Sequence, residues 1–275
     1  MIGILGGMGT QAGLDFCNKL AVLNRGKIDQ KYPMFILYNK SKIPKRPENL
    51  KKYYNVLKSL IEGCRLLQKN KCKFIVMPCN TAHYWRADLQ KKIKIPILSM
   101  PKEVFLYTKR NCKRKSKIGI LCTEATLKTK IYNRYFDKDF ELVSPNKYLQ
   151  KRSVNKAIKF VKMGKVKDAE KVIRQAINYL IKIKCKKIIL GCTELPIAIF
   201  AYKSFKKIKE SKIFIDPNLL LASVSMQKYK KNNKILVIIS FNTYAAINPI
   251  KETIKRLIIF HIFFSTRYLD KILDK

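Results

Sequence analysis

No apolar stretch of this 275-residue chain approaches the length of a membrane span. The longest, Leu257 to Phe264, covers eight residues and is broken by His261, where a spanning helix needs about 20. A signal-peptide pattern is also missing, since Met1 runs almost directly into a strand-like apolar segment. Eight cysteines are too few and too scattered for a disulfide scaffold. Together these absences point to a reducing cytoplasm and free thiols. The Gly6-Gly7-Met8-Gly9 segment lacks the Gly-x-Gly-x-x-Gly spacing, which argues against a dinucleotide fingerprint.

Acidic residues are scarce as well, 18 against 59 Lys and Arg, for a formal net charge of +41. So strong a basic balance suggests nucleic-acid binding. Only 11 of the 59 are Arg, however, and Arg is the favoured phosphate fork. The lysines spread over every helix and loop pattern, as solvated faces do. The expectation is therefore weak, salt-sensitive contact with RNA or acidic membranes, not a dedicated polyanion groove.

What the chain does contain is a globular composition, 47% hydrophobic and 11% aromatic, with length for one large or two small domains. Short β-branched runs alternate with longer helical patterns, the signature of parallel sheets wrapped by helices. Strands are expected at Ile2–Gly6, Met34–Tyr38, Phe74–Met77, Pro96–Leu98, Lys117–Leu121, Phe140–Val143, Lys187–Leu190 and Ile213–Ile215. Leu57, Leu60, Ile61, Cys64 and Leu67 recur at helical spacing, as do Val172, Ile173, Ala176, Leu180 and Ile183. Gly164 should separate a helix ending near Met163 from one starting near Val166.

The pattern is duplicated. Lys71-Cys72-Lys73 and the strand to Cys79-Asn80-Thr81 reappear as Lys184-Cys185-Lys186 and the strand to Cys192-Thr193-Glu194. Gly3-Ile4-Leu5 likewise echoes Gly119-Ile120-Leu121. Motifs recurring in one order, at a period too long for a solenoid, read as two α/β units. The first is expected over 1–100 and the second over 101–212, with 213–229 returning to the first. After a Lys-Lys-Asn-Asn break, 230–275 matches nothing in the repeat; Ile235–Ser240 reads as a strand and Ile250–Phe264 as a helix. The expected fold is two similar three-layer α/β/α domains with largely parallel sheets, related by a pseudo-twofold axis, with the site between them.

Ligands of open α/β sheets bind outside the carboxyl ends of the strands, where Cys79 and Cys192 both fall. Each precedes helix-starting residues, so unpaired N–H groups and the helix dipole should favour thiolate and lower the pKa. Two such thiols facing each other can remove an α-proton on one side and return it on the other. Sulfurs within about 3.5 Å of one Cα would stand roughly 7 Å apart. Cys72 and Cys185 read as packing residues. Across an extended strand each lies about 23 Å from its partner cysteine at roughly 3.3 Å per residue, so no shared metal site is expected. Cys122 borders the second crevice loop, and Gly6, Gly7 and Gly9 suggest a loop approaching the substrate.

Gly3 to Gly9, Pro78-Cys79-Asn80-Thr81-Ala82-His83 and Gly191-Cys192-Thr193-Glu194-Leu195-Pro196 closely resemble the aspartate/glutamate racemase family, nearest its aspartate racemase branch. The resemblance spans about residues 1–229. It implies a pyridoxal-independent isomerase that needs no cofactor, acts on a small acidic amino acid, and forms a homodimer. Cys79 and Cys192 become the acid–base pair. Met8, Asn80, Thr81, Thr123 and Thr193 would line the pocket and hold the α-carboxylate and amino group. Arg46 and Lys162, with Lys165 as the alternative to the latter, would bind substrate carboxylate. Glu194 could orient the adjacent thiol or cap its helix, and His83 reads as a packed or exposed helical residue.

The chain departs from that pattern at Thr10, where the aspartate branch has Pro, and at Lys45, where an acidic residue is common. Gly6, Gly7 and Glu194 stand where the glutamate branch has Asp and His. The leading reading is interconversion of L- and D-aspartate by two cysteines. The alternatives are a glutamate or broad-specificity racemase, and an inactive, basic nucleic-acid-binding protein on the same scaffold.

Overall fold

The computed structural model describes residues 1–23, 28–46, 53–201 and 212–245. Residues Met1–Tyr229 form one compact unit and Lys230–Lys275 another. Along the chain the order is β1 (Ile2–Gly6), α1 (Thr10–Leu23), β2 (Phe35–Asn39), α2 (Tyr53–Lys69), β3 (Phe74–Val76), α3 (Arg86–Lys92) and α4 (Met100–Asn111). There follow β4 (Lys117–Cys122), α5 (Glu124–Lys128), α6 (Asn133–Phe136), β5 (Glu141–Val143), α7 (Lys147–Leu149), α8 (Lys156–Lys162), α9 (Val166–Lys182), β6 (Lys187–Gly191), α10 (Leu195–Ala201), β7 (Phe214–Ile215) and α11 (Pro217–Ala245). The strands form two parallel sheets, β2-β1-β3 and β5-β4-β6-β7.

Each sheet is covered on both faces, as strand alternation requires. In the first, Leu5 and Ile75 pack with Val56, Leu60, Cys64 and Leu67 of α2. Ile2, Ile4, Phe74 and Val76 point the other way, onto Phe16, Leu20, Met100, Leu221 and Ala222. In the second, Leu121, Ile188 and Leu190 meet Ile173, Ala176, Ile177 and Leu180 of α9. Ile118, Ile120 and Ile189 meet Val104, Tyr132 and Phe136. Both units of the sequence repeat are thus helix–sheet–helix layers.

The duplication extends to backbone detail. Lys71 and Lys184 end their helices in the left-handed region, at φ 58° and 62°. The next amide returns to the preceding helix in each, Cys72 to Leu67 O and Cys185 to Leu180 O. A Cβ at Gly3 would stand 3.2 Å from Cys72 Sγ, and one at Gly119 3.4 Å from Cys185 Sγ. These two cysteines are small, buried wedges between helix end and strand, and burial raises the Cys185 pKa to about 11.

Two expectations change. Pro96–Leu98 gives only a single bridge, Ile75 to Ile97. Pro96 has no N–H to offer, and Ser99 immediately caps α4 by accepting from Lys102 N. Ile235–Ser240 is helical, inside α11. Lys-Lys-Asn-Asn contains neither Gly nor Pro, and a helix started at Pro217 runs through it. The Ile250–Phe264 segment lies outside the described residues.

α11 returns to the first sheet. Asp216 accepts from Asn218 N and Leu219 N and pairs with Lys19 of α1 at 2.7 Å, while Asn218 Nδ2 donates to Ala12 O and Asp15. β7, just before it, completes the second sheet.

Candidate active site

The two motif loops meet where β3 and β6 end. Beyond β3 the chain turns tightly, with Cys79 N donating to Met77 O at 2.7 Å, and a short 3-10 turn runs over Thr81–Trp85. Beyond β6, Gly191 lies so close to β4 that a Cβ would approach Cys122 Cβ to 2.9 Å. Thr193 Oγ1 then donates to Pro78 O at 3.3 Å, joining one loop to the other.

A cleft partly open to solvent is lined by Met8, Arg46, Cys79, Asn80, Thr81, Thr123, Lys162, Cys192, Thr193 and Glu194. These are the ten residues singled out in the sequence; Gly191 is the further member. Lys165, the alternative to Lys162, is not among them. Both thiols are 6% exposed.

Cys192 Sγ donates to Glu194 Oε2 at 3.0 Å. Burial, then the neighbouring carboxylate, pushes the Cys192 pKa well above its ordinary value, and Lys162 opposes this. The expected lowering by a helix start is thus overturned for Cys192. A half-charge at the end of one seven-residue helix cannot offset both desolvation and a full negative charge in contact. Glu194 itself is 3% exposed, with Lys162 Nζ 3.7 Å from its Oε1.

Arg46 is less free than a two-pronged grip suggests. Nη2 donates to Met8 O at 2.6 Å and Nη1 to Pro44 O at 3.2 Å, tying the first glycine loop to the Ile43–Arg46 segment. Its buried Nε has no hydrogen-bond partner among the described residues, and with the second Nη2 hydrogen it can meet an anion side-on. Two glycines of this loop sit tightly against other protein atoms. A Cβ on Gly7, at φ +85°, would strike the Lys40 carbonyl carbon at 2.3 Å, and one on Gly9 would press Glu194 Oε1 at 3.0 Å. The close approach is to the next loop and to Glu194.

Three hydroxyls form a triangle across the two halves: Thr81 to Thr123 at 3.1 Å, Thr81 to Thr126 at 2.9 Å, and Thr123 to Thr126 at 3.0 Å. Thr123 also caps α5 by accepting from Thr126 N. His83 is buried. Its Nε2 accepts from Met100 N at 3.0 Å, so Nδ1 carries the hydrogen and donates to Cys79 O at 2.9 Å. Burial holds it neutral, with its pKa lowered to about 4. Cys122 is buried under the site and does not line it, while its carbonyl accepts from Gln150. Sequence reasoning missed Thr126 and Tyr132. Thr126 lies just beyond the Gly119-Ile120-Leu121 echo, four residues after Cys122; Tyr132, whose hydroxyl reaches Asn80, carried no motif.

The profile of the Asp/Glu/Hydantoin racemase family matches residues 5–224. A broad specificity amino-acid racemase of Bacillus subtilis is 27% identical over 71% of this chain and 86% of its own length. A glutamate racemase of Carboxydothermus hydrogenoformans is 27% identical over 61% of this chain and 60% of its own. Among solved structures, an aspartate racemase of Picrophilus torridus superposes with a TM-score of 0.70 at 28% identity, over 83% of this chain and 94% of that one. An aspartate racemase homologue from Pyrococcus horikoshii shares the fold, with a TM-score of 0.67 at 24% identity.

Proposed function

The chain belongs to the Asp/Glu/Hydantoin racemase family, and from that premise we propose that it interconverts L- and D-aspartate with side chains alone. The observation that carries this reading is one cleft lined by two buried thiols, one from each half of the repeat. Turnover begins with one thiolate and one thiol. Cys192, hydrogen-bonded to Glu194, is the thiol; it delivers its proton to one face of Cα as Cys79 removes the proton from the other. The roles then stand reversed, ready for the opposite enantiomer. Hydroxyl and amide donors from Asn80, Thr81, Thr123 and Thr193 hold the α-carboxylate. Arg46 and Lys162 receive the side-chain carboxylate, and Met8 fills the remaining wall.

A wider substrate range is the second reading. Lys162 is 47% exposed and only loosely engaged with Glu194, so the side-chain end of the cleft is the less firmly built. The broad specificity of the Bacillus subtilis relative agrees with that. We further infer two domains, 1–100 and 101–212, with 217–229 joining the first while β7 (Phe214–Ile215) belongs with the second. The expected setting is a cytoplasmic homodimer with salt-sensitive, non-specific affinity for polyanions.

Purified protein incubated with L-aspartate in D2O should lose the α-proton NMR signal while D-aspartate accumulates. The same assay over glutamate and neutral amino acids separates the two readings. Absence of exchange with every amino acid, in folded protein, sinks both.

A further inference from the structure

Asn80 has two nearly isosteric ends, a carbonyl oxygen that accepts and an amide nitrogen that donates. Which end faces the cleft decides whether this corner receives an anion or a cation. The Tyr132 hydroxyl donates to Asn80 Oδ1 across 52 residues of sequence, and both side chains are buried. Asn80 Nδ2 is also buried and has no hydrogen-bond partner among the described residues. Asn immediately before a helical turn ordinarily caps it, yet this side chain makes no cap bond.

We propose that Tyr132 is a positioning residue that fixes the flip of the Asn80 amide, so that Asn80 offers N–H donors to a substrate carboxylate and rejects the ammonium group. The reverse flip would set the amide nitrogen against the phenol oxygen and leave the phenol hydrogen without its acceptor. No second acceptor for that hydroxyl occurs among the described residues, and a buried donor left unpaired is costly. Burial, reinforced by Cys122, Asp216 and Cys192, raises the Tyr132 pKa well above its ordinary value, so the phenol keeps its hydrogen at every working pH. A carboxylate only accepts and an ammonium only donates. The orphaned Nδ2 therefore suits the former.

This assignment rests on the racemase reading, and its test separates the two. The affinity of succinate, a dicarboxylate without an ammonium group, is measured by calorimetry for the wild type, Tyr132→Phe, Asn80→Ala and the double variant. Tyr132→Phe should weaken succinate about tenfold, the scale of one misdirected hydrogen bond. In the Asn80→Ala background the same change should do nothing further, because Tyr132 acts through that amide. A loss of equal size in both backgrounds, or affinity unchanged in Tyr132→Phe, overturns the lock. Failure of the wild type to bind succinate overturns the carboxylate assignment. Wild type that binds succinate with this coupling, yet exchanges no α-proton, refutes the racemase and leaves the lock standing.

Discussion

Glu194 Oε2 accepts the Cys192 thiol hydrogen at 3.0 Å, inside a site where the carboxylate is as thoroughly buried as the sulfur. The contact stabilises the thiol against the thiolate, since a second negative charge there would face the first. Cys192 is thereby kept loaded with the proton it must deliver.

Replacing Glu194 by Gln keeps a hydrogen-bonding group and removes the charge. The Cys192 pKa should fall, so that in a Cys79→Ser background alkylation by iodoacetamide begins at lower pH. Racemisation at neutral pH should drop by about tenfold or less, because burial still keeps the acid protonated and only the carboxylate's hold on the thiol hydrogen is weakened. An alkylation profile unmoved by Glu194→Gln means the carboxylate does not govern this thiol.

Single cysteine variants should divide the reaction rather than simply slow it. With one acid–base group gone, racemisation falls by about a hundredfold or more. The surviving thiol can still exchange the proton on its own face. Cys79→Ser and Cys192→Ser should therefore incorporate deuterium from D2O into opposite enantiomers of aspartate. Exchange into the same enantiomer by both variants contradicts opposed faces.

His83 predicts a pH dependence of stability. Its folded pKa is about 4, against about 6.5 in an unfolded chain. Between these values the unfolded state binds a proton that the folded state does not, so stability falls as pH is lowered from about 6.5 to about 4. The full effect is on the order of 3 kcal/mol. His83→Gln should flatten this part of the melting-temperature profile, whatever its effect at neutral pH.

Asp216 combines a helix cap with a buried ion pair, and burial raises its pKa despite Lys19. Asp216→Ala should cost about 2–4 kcal/mol, seen as a melting temperature lower by roughly 5–12 °C. Asp216→Asn keeps the capping oxygen and should lose less. Equal losses in the two variants would show that the cap contributes nothing.

Strand placement was legible because burial on both faces writes itself into short, continuous apolar runs such as Ile2–Leu5 and Ile188–Leu190. The cleft was legible through two short motifs that must converge if the strands are parallel. Local pattern carries less about interactions that are not local. The bond from Tyr132 to Asn80 spans two loops, and Thr126 meets Thr81 only once the halves pack. The Cys192 thiol was misjudged for a related reason: the helix start is visible in sequence, but the depth of burial and the aim of Glu194 are not. Ile235–Ser240 has a strand composition, yet a helix begun at Pro217 overrides it.

Synthesis order gives the α11 contact a further meaning. Leu221, Ala222 and Met226 cover a sheet face whose central strand, Ile2–Gly6, is made long before they are. At roughly 5–20 residues per second, that strand waits on the order of ten seconds or more for its last cover. A nascent chain lacking the final part of this unit exposes Ile2, Ile4 and Phe16, and is the species for which chaperones should have most affinity.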